Sequence, residues 1–277
     1  MRRTKIVATL GPATDKPKVL KNLIEAGLDG ARLNYSHGAR EEHAKRARAV
    51  RRAAKSLNRE VAIIADLQGP KIRIERFRNG PIELEEGDDF IIDADLAPHA
   101  GDETHVGVTY KGLAGDVKAG DTLLVDDGRI MLQVERIDGN AIETVVLLGG
   151  PLSDSKGVNR QGGGLSAKAL TRKDRLDLKH AIEIDADYIA VSFPRSAADI
   201  DDARRLVRKA GGHAGIIAKI ERAEAVDNAE EIIRAADGIM IARGDLGVEI
   251  GDSRLPPVQK QLIDLARHCH RIVITAT

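Results

Sequence analysis

Apolar strand-like runs and amphipathic helix-like runs alternate along this chain, and that alternation constrains its fold more than any other feature. "TKIVATLG" (4–11) precedes a helical pattern near 17–26, and "GARLNYS" (30–36) precedes a basic amphipathic stretch over 40–56. "EVAIIADLQG" (60–69) follows. A βαβαβ rhythm of this kind predicts a parallel sheet covered by helices. Over 70–166 the helical period disappears. Short alternating runs such as "IELEEGD", "DTLLVDDG", "IMLQVERIDGN" and "IETVVLL" take its place, punctuated by Gly-Asp and Gly-Asn turns. That texture predicts a small all-β insertion, with "NRQGGGLSAKAL" (159–170) as its return hinge.

The alternation then resumes. Helical patterns over 171–185, 197–210, 224–236 and 256–269 are interleaved with "DYIAVSFP", "AGIIAKIE", "GIMIARGDLG" and, last, "RIVITAT". Outside the insertion this gives seven strands and six helices, whereas a (β/α)8 barrel has eight of each in about 250 residues. The reading is therefore an α/β fold, a (β/α)8 TIM-type barrel that is incomplete in this chain. Residues 1–69 form its first part, 70–166 an all-β lid domain, and 167–277 the continuation, ending at strand seven. An open doubly wound sheet is the competing architecture, but no G-x-G-x-x-G follows any strand.

Composition narrows the function classes. Lys plus Arg equal Asp plus Glu at 43 each, so no net field recruits nucleic acid or an anionic membrane. The N-terminal "MRRTKIVATLGPAT" lacks a continuous apolar h-region, and no run approaches a membrane span. The single Cys269 excludes an intramolecular disulfide framework and fits a reducing, cytoplasmic compartment.

The chemistry lies at the strand ends. In a barrel of this type, active sites occupy the C-terminal mouth, and side chains on one face recur at every second residue. Arg32, Asn34 and Ser36 share such a face; Asp66 closes strand three, Lys219 and Glu221 strand five, Arg243 and Asp245 strand six, and Thr275 and Thr277 strand seven. Glu221 and Asp245 are hard carboxylates suited to Mg²⁺. Lys219 beside them is a mobile cation suited to a phosphoryl oxygen or an enolate, and Arg32 can grip phosphate or carboxylate in bidentate fashion. The "RGDLG" turn is expected to present backbone N–H groups to an anion at a helix start. The constellation describes a metal-assisted site for a small phosphorylated or carboxylated acid. A purely structural Lys219–Glu221 pair is the weaker account, because buried pairs add little net stability.

At these residues the chain resembles the pyruvate kinases, of a bacterial kind. "ARLNYSHG", "DLQGPKIR", "VDDG", "KGVN", "GGGLSAKALTRKD", "AKIE", "IMIARGDLG" and "VITAT" occur in that family's order, from about Lys5 to the last residue. The resemblance implies transfer of the phosphoryl group of phosphoenolpyruvate to ADP, giving pyruvate and ATP in glycolysis, with an all-β lid inserted after the third barrel strand. It implies that Glu221 and Asp245 hold Mg²⁺ or Mn²⁺, that Lys219 stabilises the transferring phosphoryl group, and that Arg32 and Arg73 contact phosphate. Gly244, Asp245 and Thr277 would seat the pyruvate end, with Thr277 near the water chain that protonates the enolate. Asn34, Ser36, Asp66 and the Leu67 carbonyl match a K⁺ site. Asn34, Tyr35, Ser36, His37, Arg73 and, on the lid, Lys156 would meet the nucleotide.

Lys71 stands where many family members carry Glu, which points to an enzyme whose tethered ammonium replaces K⁺. The family continues beyond the position equivalent to Thr277 with the rest of the barrel and a C-terminal domain that supplies much of a homotetramer interface. Impaired turnover of the 277-residue chain is therefore the expectation. Two other readings stay open: a Mg-dependent aldolase or lyase of the pyruvate-enolate barrel type, and a non-catalytic remnant that binds ligand or partner. "HCH" (268–270) is set aside as a metal site because adjacent helical residues do not face one another. "GGG" (162–164) is weak as a phosphate loop without a following Lys-Ser pair, and "RRAAK" (51–55) reads as a wet helix face.

Overall fold

The computed structural model describes residues 3–277. Seven strands form one parallel sheet in sequential order: β1 (Val7–Thr9), β2 (Gly30–Asn34), β3 (Ala62–Asp66), β4 (Tyr188–Val191), β5 (Gly215–Ile220), β6 (Gly238–Ala242) and β7 (Ile272–Ala276). A strand order that never reverses is that of a barrel, since a doubly wound sheet reverses at its switch point. The fold is α/β, of TIM-barrel type, with a lid.

The period of two sorts each strand. Ile216, Ala218 and Ile220 of β5 pack outward in the large core beneath the helices, while Ile217 joins Ile64, Ala190 and Met240 in a small inner cluster. Ala31, Leu33 and Tyr35 likewise face the helices, which leaves Arg32 and Asn34 on the inner side.

Around the sheet lie α1 (Pro17–Glu25), α2 (Arg40–Ser56), α3 (Arg172–Glu183), α4 (Ala197–Lys209), α5 (Ala223–Asp227), α6 (Ala229–Ala235), α7 (Arg243–Ile250) and α8 (Leu255–His268). Local chemistry sets several starts. Thr171 and Asp174 close a capping box on α3, and a proline in the first turn opens α8. Three readings need correction. The helix expected over 224–236 breaks at Asn228, whose side-chain amide donates to the Arg195 carbonyl instead of continuing the helix face. "RGDLG" is not a turn before a helix but the opening of α7 itself. "RRAAK" is not all wet: Arg51 donates to the carbonyls of Val61 and Asp185 and to Asp187, tying α2 to the foot of the sheet.

The insertion holds a six-stranded sheet in the order Val158–Arg160, Thr122–Val125, Ile130–Asp138, Ala141–Leu148, Asp89–Asp93, His105–Gly107. Its last pairing is parallel and the others antiparallel. A two-stranded ribbon, Ile82–Leu84 with Gly150–Leu152, accompanies it. The single helical turn Leu113–Asp116 makes the unit not wholly β. Its core, built around Phe77, Phe90, Leu123 and Leu132, is a cluster separate from that of the barrel. The two connections between lid and barrel pair with each other: the Ile74 N–H donates to the Lys156 carbonyl (2.9 Å) and the Val158 N–H to the Ile72 carbonyl (2.9 Å). Among the described residues no helix is long and apolar enough to cross a membrane.

Candidate active site at the barrel mouth

Lys219 is the hub. From the inner side of β5 its ammonium lies 2.9 Å from Glu221 Oε1 and 3.3 Å from Asp66 Oδ1, and donates to Ser192 Oγ at 2.7 Å. The Asp66 contact is an ion pair without hydrogen-bond geometry, since that buried oxygen accepts no hydrogen bond. The other Asp66 oxygen accepts from Arg32 Nε at 2.6 Å, and Arg32 Nη1 donates to Thr9 Oγ1 at 2.8 Å. Three strands, β2, β3 and β5, thus deliver a chain of alternating charge, Arg32–Asp66–Lys219–Glu221.

Glu221 is buried, and its second oxygen accepts the Phe193 N–H at 2.9 Å. Phe193 adopts a left-handed backbone (φ 55°), uncommon for a bulky side chain and found where surrounding structure enforces it. Burial pushes the Glu221 carboxyl above its ordinary range; Lys219 opposes this, and the Asp245 charge adds to it. Burial alone would depress the Lys219 pKa, but Glu221 and Asp66 outweigh it and hold the ammonium above its ordinary value. The two carboxylates thus favour the charged form of Lys219 despite its burial.

Asp245 is not a strand residue as its sequence position implied; it sits in the first turn of α7, beside exposed Gly244. Its Oδ1 accepts from Lys71 Nζ at 2.9 Å. Asp245 lies close enough to add to the cost of ionising Glu221, and the two carboxylates are hard oxygen donors that suit a divalent cation. Among the described residues no third acid, His or Cys joins them, so such an ion would keep water or substrate oxygens in its remaining positions.

The other expected residues divide. Asn34 Oδ1 accepts the Ser36 N–H at 3.1 Å, and Ser36 and His37 are exposed on the loop after β2. Tyr35 does not face a ligand: its ring is buried under the helices, stacked on His43 at 4.4 Å between centroids, with its hydroxyl 2.8 Å from His180 Nδ1. His43, absent from the sequence-based set, fixes the loop further through the His37 carbonyl (3.0 Å). The Leu67 carbonyl accepts from Ser192 Oγ at 2.7 Å. Arg73 donates to the Ser155 carbonyl at 2.7 Å, and Lys156 pairs with Asp126 at 2.8 Å, so both side chains are held within the lid and its hinge.

Lys71 reaches Asp245 and not the Asn34–Ser36 loop. On β7 it is Ile274 and Ala276 that accompany the inner cluster, while Val273 packs outward, so Thr275 falls on the helix side. Thr277 follows the strand's end, exposed, and lines the same 1680 Å³ cavity as Arg32, Lys219, Glu221, Gly244 and Asp245. Ser192 was missed, although alternation outward from Ala190 places it on the inner face.

A lidded α/β barrel that gathers a buried lysine, a partly exposed arginine and two hard carboxylates at one mouth has the architecture of a barrel enzyme. The chain belongs to the pyruvate kinase family, whose barrel-domain profile matches residues 1–277. It is 55% identical over 280 residues to pyruvate kinase II of Salmonella typhimurium, covering 100% of this chain and 58% of that protein. It is 54% identical to the pyruvate kinase of Haemophilus influenzae, covering 59% of it, and 45% identical to that of Mycobacterium intracellulare, covering 58%. The chain thus spans less than two thirds of the length of these relatives.

Proposed function

We propose that this chain carries the phosphoenolpyruvate- and ADP-handling part of a cytoplasmic pyruvate kinase. The bond from the enol oxygen to phosphorus breaks, the ADP β-phosphate oxygen bonds to phosphorus, and the enolate left behind takes a proton at carbon to give pyruvate. One observation carries the reading: the Lys219 side-chain nitrogen is held at the mouth between Glu221 and Asp66, and Asp66 in turn binds Arg32. Phosphoryl transfer needs positioning and charge neutralisation more than covalent help from the protein.

In this reading Lys219 and Arg32 receive the phosphoryl oxygens, and the Gly244 and Asp245 backbone at the start of α7 orients the carboxylate end. Thr277 serves the enolate side. Asn34, Ser36, His37, Arg73 and Lys156 line the nucleotide path, with residues 70–166 acting as the lid. Glu221 and Asp245 would hold Mg²⁺ or Mn²⁺, which supplies charge neutralisation to the phosphoryl and carboxylate oxygens. The full-length protein is proposed as a homotetramer, with neither nucleic acid nor membrane as partner.

The test is ATP formation from phosphoenolpyruvate and ADP, paired with Mn²⁺ titration. In the full-length protein Lys219→Met should abolish transfer, and Glu221→Gln should weaken Mn²⁺ binding. Undiminished transfer in the first variant or unchanged affinity in the second would sink the corresponding role.

A further inference from the structure

Lys71 belongs to the outgoing connection between barrel and lid, yet its ammonium ends on a barrel carboxylate. Its neighbour Ile72 is buried in the lid core, and the Ile72 carbonyl accepts the Val158 N–H of the returning connection. The Lys71 stem runs over Gly157, where an added Cβ would lie 3.4 Å from Lys71 Cε. The lysine stem thus lies within van der Waals reach of the returning connection. At the far end, Nζ lies 2.9 Å from Asp245 Oδ1, both side chains being about a quarter exposed (27% and 25%).

We infer that Lys71 is a tethered competitor for the divalent-cation site: its ammonium occupies Asp245, and the cation must displace it. This rests on the reading that Glu221 and Asp245 hold the metal. An ammonium donating to Asp245 Oδ1 and a divalent cation bonded to that carboxylate would place like charges in adjacent positions, so occupancy by one disfavours the other. Glu221 is buried, and Lys219 and the Phe193 N–H already engage its two oxygens, so it has less freedom than Asp245 to meet the cation. Asp245 is therefore the more accessible carboxylate, and Lys71 sets the cost of reaching it. Because Lys71 hangs from the lid connection, cation binding also releases one tie between lid and barrel.

The experiment measures Mn²⁺ affinity by electron paramagnetic resonance in four chains: parent, Lys71→Met, Lys71→Arg and Asp245→Asn. Methionine keeps the stem along Gly157 and deletes the charge, whereas arginine keeps the charge. Lys71→Met should bind Mn²⁺ roughly two- to fivefold more tightly than the parent, the range set by one partly exposed ion pair. Lys71→Arg should stay near the parent. Equal affinities for parent and Lys71→Met, or tightening by Lys71→Arg as well, overturn the competition provided that Asp245→Asn binds weakly. Unchanged binding by Asp245→Asn instead overturns the metal-site reading beneath it.

Discussion

The Lys219 ammonium donates to Ser192 Oγ, and the same hydroxyl donates onward to the Leu67 carbonyl, each at 2.7 Å. One buried serine from the end of β4 thereby joins the hub lysine of β5 to the backbone just after β3. Replacing Ser192 with alanine removes a few atoms but leaves a buried carbonyl and a charged donor short of a partner. An unsatisfied buried group costs about 1–3 kcal/mol, so Ser192→Ala should lose about that much stability in urea unfolding. A loss within experimental error would mean that water takes the hydroxyl's place.

Glu249 supplies a pH dependence whose sign can be worked out. It lies in α7, buried, accepting from Asn159 Nδ2 at 3.2 Å and from the Ala223 N–H at 3.0 Å. Burial raises its carboxyl to about 7; those two hydrogen bonds and nearby Arg222 oppose the rise, and Glu224 adds to it. A carboxyl whose folded pKa exceeds its unfolded value favours the folded state below the unfolded pKa, and that advantage disappears as pH rises through the folded pKa. Between pH 4.5 and pH 7 the parent should lose up to about 3 kcal/mol from this group. Glu249→Gln, which stays neutral, should remove that slope and be the more stable chain at pH 8. Parallel stability–pH curves for the two chains would refute the assignment.

Gly69 has φ 69°, and a Cβ there would lie 2.6 Å from the Ser192 Cβ. Its N–H also donates to buried Asp174 Oδ1 at 3.0 Å, so the backbone cannot readily move aside. Gly69→Ala should cost about 3 kcal/mol, from left-handed strain and overpacking together. Thermal unfolding measures it, and a melting point equal to the parent's would show that the loop after β3 relaxes freely.

The proposed independence from K⁺ can be examined directly. Asp66, one of the expected K⁺ ligands, is already engaged by Arg32 and Lys219, and Lys71 contributes a further tethered cation at Asp245. In the full-length protein, phosphoryl transfer should proceed with a bulky organic cation as the only monovalent ion, and Lys71→Glu should then require K⁺. Strong activation of the parent by KCl would count against the tethered charge.

Much of this was legible in the sequence because the rules involved are local. Strand alternation placed Arg32, Lys219 and Glu221 on the inner face, and the loss of helical period located the lid. What was not legible depends on tertiary placement. Asp245 reads like a strand end because apolar β6 runs directly into it, and nothing local marks α7 as starting at Arg243. Strand parity turns Tyr35 toward the helices, but its partners His43 and His180 stand on two separate helices, which parity does not reveal. Lys71 meets Asp245 across 174 positions of sequence, a contact that periodicity cannot foresee.

The pairing of the two lid connections has a consequence for how the chain acquires its structure. With Ile74 bonded to Lys156 and Val158 to Ile72, the lid leaves and re-enters the barrel through adjacent positions. To the barrel it is topologically no more than a hairpin. Loop-closure entropy grows only logarithmically with length, so a connection whose ends already meet adds little to the cost of folding the scaffold around it. The lid's own aromatic-centred core then gives it the makings of a separate cooperative unit, able to open sub-globally while the barrel stays intact.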